Sequence, residues 1–160
     1  MRVRGRVGDD MPLPGTTYEA SVERLINASP EAVFDAFMDE TAQAEWFADP
    51  GLTEVSITVE PRTGGRWDCS FQTEGGRYYW TGVFLEVDRP RRFVAEFTTV
   101  PPDEDPFIST MTVTCEARGA QTFITVTEVH ASERRRDEAQ GGIPGMLDVV
   151  QRFAEEASAR

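Results

Sequence analysis

The sequence predicts an α+β fold in which a seven-stranded antiparallel sheet carries helices on one of its faces. Three observations predict it. Seven segments alternate apolar and polar residues at period two, six of them in succession and mostly joined by short turns. Two short helical segments separate the first strand from the second, and a final segment repeats apolar residues at the i, i+3, i+4, i+7 spacing of one helix face. At 160 residues and 39% hydrophobic content, the chain can build one core and is too apolar for disorder, even with a net charge of −12.

The elements follow in order. Residues 1–15 combine Gly, Pro and charge without an apolar period and are expected to form a flexible arm, leaving 16–158 as one domain. In the first strand, residues 18–26, Tyr18, Ala20, Val22 and Arg24 oppose Glu19, Ser21, Glu23 and Leu25. Ser29-Pro30-Glu31 then starts a helix. The serine hydroxyl accepts from a free amide, the proline suits the first position, and the glutamate complements the positive helix end. That helix should end near Asp39. Thr41 is expected to cap a second short helix through Trp46 and Phe47, stopped by Asp49-Pro50-Gly51.

Strands occupy the middle of the chain. Residues 52–60 alternate, and Gly64-Gly65 opens a strand with Trp67, Cys69 and Phe71 on one face. Glu74-Gly75-Gly76 reads as a hairpin turn, and Asp88-Arg89-Pro90-Arg91 joins strands at 78–87 and 93–100. After an acidic, proline-rich loop at 101–106, Met111, Val113 and Cys115 should face inward and Thr110, Thr112 and Thr114 outward. Arg118-Gly119-Ala120 turns the chain into the last strand, 121–129. Residues 130–140 read as a polar connection in which Arg134-Arg135-Arg136 neutralises its acidic flanks. The final helix then carries Ile143, Met146, Leu147, Val150, Phe153, Ala154 and Ala157 on one stripe over about four turns.

Composition removes several function classes. All 16 basic residues are Arg, which excludes a catalytic lysine, and the single His130 excludes a multi-histidine metal site. Cys69 and Cys115 form neither a C-x-x-C motif nor a disulfide framework and are expected to be buried, reduced thiols. The acidic balance argues against nucleic acid as a partner. No apolar run approaches the roughly 20 residues of a membrane span and no signal peptide opens the chain, so a cytoplasmic location is expected. Neither metal nor cofactor is expected, because Asp103-Glu104-Asp105 lacks the spacing of a calcium loop.

Several segments resemble a known family. Ala28-Ser29-Pro30-Glu31-Ala32-Val33-Phe34, Glu45-Trp46-Phe47, Gly64-Gly65-Arg66-Trp67, residues 82–87 (GVFLEV) and Pro90-Arg91-Arg92-Phe93 precede a C-terminal amphipathic helix. In that order and spacing they are similar to the START-like (SRPBCC) superfamily, in the branch named for the C-terminal domain of the activator of Hsp90 ATPase. The resemblance covers roughly residues 16–158. It implies the helix-grip fold, a sheet curved around the long C-terminal helix. It also implies a cavity for a small apolar molecule. Alternatives within the resemblance are an enzyme of the polyketide cyclase/dehydratase kind and a module that engages a chaperone or forms a homodimer.

The candidate site is therefore aromatic. Trp67, Phe71, Trp80, Phe84 and Phe97 are expected opposite the long helix, with Trp46 and Phe47 closing one end. Cys69, Tyr78, Met111, Val113, Met146, Val150 and Phe153 complete the expected lining. These residues either fill a core or border a pocket, and the pocket reading needs Phe84 to pair with Ala95. A cavity of about 300 Å³ or more is expected near Gly142 and Gly145, and Val150→Trp is expected to fill it. His130 and Glu128 share a strand face and could serve as base and partner, yet no nucleophile accompanies them. Cys69 would be nucleophilic only beside a cation. A binder without catalytic residues is the reading these features favour.

Overall fold

The computed structural model describes residues 15–48, 50–100 and 108–159. Residues 1–14 of the arm expected over 1–15, Asp49, residues 101–107 with the acidic loop, and Arg160 lie outside the described residues. β1 (Tyr18–Ile26) leads to α1 (Pro30–Met38) and α2 (Glu40–Trp46). Then come β2 (Thr53–Val59), β3 (Arg66–Thr73), β4 (Gly76–Asp88), β5 (Arg92–Val100), β6 (Ile108–Arg118), β7 (Gln121–His130) and α3 (Glu133–Ser158). Every neighbouring pair is antiparallel, in the order β1-β7-β6-β5-β4-β3-β2. The α+β class and the element order match the sequence reading.

The start of α1 follows the expected chemistry. Ser29 Oγ accepts from Ala32 N at 3.2 Å, Pro30 occupies the first position, and Val33, Phe34, Ala36 and Phe37 are buried. Ser29→Ala should lose about 1 kcal/mol of stability, read as a lower urea midpoint at unchanged slope. The start of α2 differs. Asp39, not Thr41, is its cap: Asp39 Oδ1 accepts from Ala42 N at 2.9 Å. The extended backbone at Asp39 (φ −77, ψ 122) ends α1 and aims the carboxylate at the free amides of α2. One residue thus serves two helix ends.

The largest correction concerns α3. It starts at Glu133 and runs 26 residues, absorbing the stretch read as a polar connection. Ser132 Oγ caps it by accepting from Arg135 N at 3.1 Å, and Arg134 pairs with Glu138 at i,i+4. The arginine run is therefore the helix's first turns, laced to acids on the same helix (Arg136 to Glu133, Arg135 to Glu138). Gly141, Gly142, Pro144 and Gly145 lie inside the helix instead of at its start. Together such residues are unfavourable by several kcal/mol relative to alanine, roughly 1 per Gly and 3 for Pro. Tertiary contacts offset this. Arg24 on β1 reaches Asp148 Oδ1 (2.8 Å), Gln151 Oε1 (3.1 Å) and the Pro144 carbonyl (3.3 Å).

Both sheet edges are answered by helix side chains. Gln140 of α3 accepts from Ser21 N (3.1 Å) and donates to Ser21 O (3.0 Å) on β1, and Glu155 Oε2 accepts from Asn27 N (3.0 Å). On β2, Val59 N donates to Glu40 Oε2 of α2 at 2.9 Å. Such contacts occupy backbone groups that would otherwise template another strand.

Register fixes the inner face. Met111, Val113 and Cys115 are buried while Thr110, Thr112 and Thr114 stay half-buried on the opposite face, as the alternation requires. Phe84 pairs with Ala95, the register on which the pocket reading depended. The register then shifts between Phe84 and Glu86, so Leu85 stands out at 47% exposure and Val87 falls opposite Phe93. That bulge bends β4 and returns an apolar residue to the inner face.

Candidate functional site

Two cross-strand rows form the floor of the site. One runs Trp67, Gly82, Phe97, Ser109, His130, Tyr18 across β3, β4, β5, β6, β7 and β1. Its neighbour runs Phe84, Ala95, Met111, Glu128, Ala20. Directly opposed residues share a face, so each row is a line of neighbouring side chains. The small residues decide the shape. Gly82, Ala95, Ser109 and Ala20 hold the floor low between the large rings.

Gly82 is needed for a close approach. A Cβ there would lie 2.5 Å from the Glu96 carbonyl and 2.7 Å from Phe97 Cδ1. Without one, Trp67 and Phe97 meet over the gap, centroids 4.9 Å apart and nearly perpendicular. Trp67 is held from its other side, where Nε1 donates to Gln43 Oε1 and Gln43 Nε2 donates to the Phe37 carbonyl at 2.7 Å. Phe37 in turn packs edge-on against Phe93 (5.6 Å) and Trp46 (5.7 Å). Rings from α1, α2 and the sheet thus form one continuous wall.

Between this wall and α3 lies a cavity of about 490 Å³. Among the expected residues, Trp46, Phe47, Trp67, Trp80, Phe97, Met111 and Met146 line it. Cys69, Phe71, Phe84 and Val113 belong to the packed core, Tyr78 is 46% exposed beyond it, and Phe153 is half-buried farther along α3. Val150 is fully buried in the core and does not border the cavity, so Val150→Trp would overpack the core instead of filling the cavity. The cause is the early start of α3, which lays an earlier segment over the sheet. Ala139, Gly142, Ile143 and Met146 face the cavity at helical spacing, next to Gly145. The opening near Gly142 and Gly145 was legible in the sequence; Ala139 was hidden in the supposed connection.

The lining also has a polar end. Glu128, Arg135, Glu138 and Glu45 border the cavity. Glu128 is only 7% exposed and lies 3.0 Å from His130 Nε2 and 3.4 Å from Ser109 Oγ, both through Oε1. Arg135 donates to Glu138 at 3.3 Å, and Arg152 of α3 pairs with Glu45 of α2. Trp46 Nε1 is buried at the cavity and has no acceptor among the described residues. An indole N–H left so is unfavourable by roughly 1–3 kcal/mol.

The thiols are unsuited to nucleophilic work. Burial pushes Cys69 and Cys115 up from 9.0 to about 12, and both are free. Between those values the unfolded chain loses protons that the native chain keeps. Stability contributed by this difference is full below pH 9 and falls as pH rises towards 12, by about 1.4 kcal/mol per pH unit per thiol. Urea unfolding at stepped alkaline pH should show a shallower decline for the Cys69→Ala/Cys115→Ala double variant than for the parent.

Comparison with known proteins places the chain. Residues 27–155 match the family model described as Activator of Hsp90 ATPase homolog 1-like protein. The chain belongs to this family. Its START-like character, read from short segments, is thereby shown. No curated protein matches. Solved structures share the fold: an AHSA1-like protein from Aeromonas hydrophila is 24% identical, with 89% of this chain and 96% of that one covered at a TM-score of 0.67. A protein from Chromobacterium violaceum is 19% identical, with 86% and 97% covered at 0.71. One from Rhizobium loti is 22% identical, with the same coverage and score. Among the described residues no helix is long and apolar enough to cross a membrane, and no three His, Cys, Asp or Glu side chains group as metal ligands.

Proposed function

We propose that this chain binds or carries a small, mostly apolar molecule in the cavity beneath α3. The observation that carries the reading is the cavity itself, about 490 Å³ and walled by Trp46, Trp67, Trp80, Phe37 and Phe97. That volume lies within the range of small-molecule sites. The unmatched Trp46 N–H adds a donor that a bound molecule would satisfy. Burying apolar carbon gains about 0.8 kcal/mol per CH₂. A ten-carbon chain therefore gains roughly 8 kcal/mol before the loss of free motion, which removes several. A net gain of about 4 kcal/mol corresponds to an affinity near millimolar. The chaperone-binding alternative draws on the family's description alone.

Native mass spectrometry of gently purified protein, followed by solvent extraction, tests this proposal. The expected result is an added mass that extraction removes and identifies as an apolar compound. Bare protein that also fails to take up any neutral apolar probe would contradict it.

A further inference from the structure

We infer that the ligand's polar end is a hydrogen-bond donor, a hydroxyl or a protonated amine, and that the cavity discriminates against carboxylate-ended molecules of the same length. This rests on the proposed cavity-binding function and adds the chemical class. The residue responsible is Glu128. It stands in the floor row between Met111 and Ala20, borders the cavity, and is more than nine-tenths buried. Its Oε1 faces His130 Nε2 at 3.0 Å and Ser109 Oγ at 3.4 Å, while Oε2 has no partner among the described residues. That oxygen is not one of the fully buried unpartnered atoms and so is open to water or ligand, and an ionised carboxylate there can only accept, which suits a donor on the ligand.

The charges of the lining point the same way, while the Trp46 N–H is left to an acceptor elsewhere on the ligand or to the oxygen of a hydroxyl. Among the described lining residues, Glu45 is paired with Arg152 and Glu138 with Arg135, which leaves Glu128 as the carboxylate with no guanidinium beside it. Ring faces of the tryptophans favour a cationic head over an anionic one. A ligand carboxylate placed beside Glu128 would meet a like charge in a poorly solvated space, where such encounters are strongly unfavourable.

Decanol, decylamine and decanoic acid share one tail and differ in the head. Each is titrated against N-phenylnaphthylamine bound to the full chain, at a pH where the amine is charged and the acid ionised. The alcohol, the amine or both should displace the probe at concentrations at least tenfold below those of the acid. A preference confined to the amine shows that charge carries the selectivity; one confined to the alcohol shows that the hydrogen bond does. In Glu128→Gln the gap between the acid and whichever head the parent prefers should shrink at least tenfold, because the amide is neutral and can donate to a carboxylate. Glu116→Gln removes an exposed carboxylate that pairs with Arg118 away from the cavity and should preserve the order. If Glu128→Gln does not fold, the order of the three heads on the parent decides alone. Equal displacement by all three, with the probe still bound in the cavity, overturns the donor-end inference only. Failure of the probe itself to bind would remove the cavity-binding function and this inference with it.

Discussion

Truncation of Phe37 to alanine is expected to remove about 3–5 kcal/mol of stability, the largest effect of any single change proposed for this chain. Phe37 is 1% exposed on α1 and makes edge contacts with Phe93 and Trp46. Its carbonyl also holds Gln43, which holds the Trp67 indole. The ring therefore braces the wall between α1, α2 and the sheet. Because it borders the cavity, its removal merges a new void with an existing one, and the surroundings have no packed layer to collapse from that side. Urea denaturation followed by tryptophan fluorescence measures the loss. A change below 1 kcal/mol would mean that the wall is not packed as described.

Gly82→Val should cost about 2–3 kcal/mol, despite replacing glycine with a strong strand former. The gain in strand preference is at most about 1 kcal/mol. Against it stand the overpacking of a Cβ set 2.5 Å from a backbone oxygen and the loss of the Trp67–Phe97 contact. Those terms are worth roughly 1–3 and 0.5–1.5 kcal/mol. The Glu96 carbonyl belongs to the sheet ladder and cannot withdraw. Calorimetry should show a lowered Tm for Gly82→Val. An unchanged or raised Tm would show that strand preference dominates and that the site tolerates a side chain.

The sequence carried the sheet more legibly than the long helix. Period-two alternation at Met111, Val113 and Cys115 has one structural meaning, and the opposed threonines confirm which side is wet. Glycine and proline in α3 have two meanings. In isolation they stop a helix, and the reading therefore started it near Gly141. The contacts that override them, Arg24 to the Pro144 carbonyl and Gln140 to Ser21, join residues more than 100 positions apart and leave no local trace. That one misplacement moved Val150 onto the cavity and hid Ala139, Arg135 and Glu138 from it. Asp39 was hidden differently. Its capping role requires α1 and α2 to be separated by a single residue, and local propensity sees only a run of helix formers.

Of the seven expected aromatic and methionine residues that line the cavity, Trp67, Trp80, Phe97 and Met111 follow from strand alternation, which fixes faces even where contacts are unknown, and Met146 follows from the stripe of the last helix. Phe37 and Phe93 are both core and lining, a double role that spacing alone does not reveal. The buried Glu128 offered one signal. A carboxylate on the inward side of a strand is rarely tolerated without partners, and His130 two residues on supplies one.

The most direct test of the cavity account is Ala139→Trp, read for stability and for binding of N-phenylnaphthylamine in one preparation. Ala139 is half-buried, on the cavity-facing stripe of α3. If about 490 Å³ of space lies beside it, the indole enters that space with less than about 1 kcal/mol change in stability, and probe affinity falls at least tenfold. A destabilised variant that binds the probe as the parent does would show an interior already filled and a probe bound elsewhere, contradicting the account.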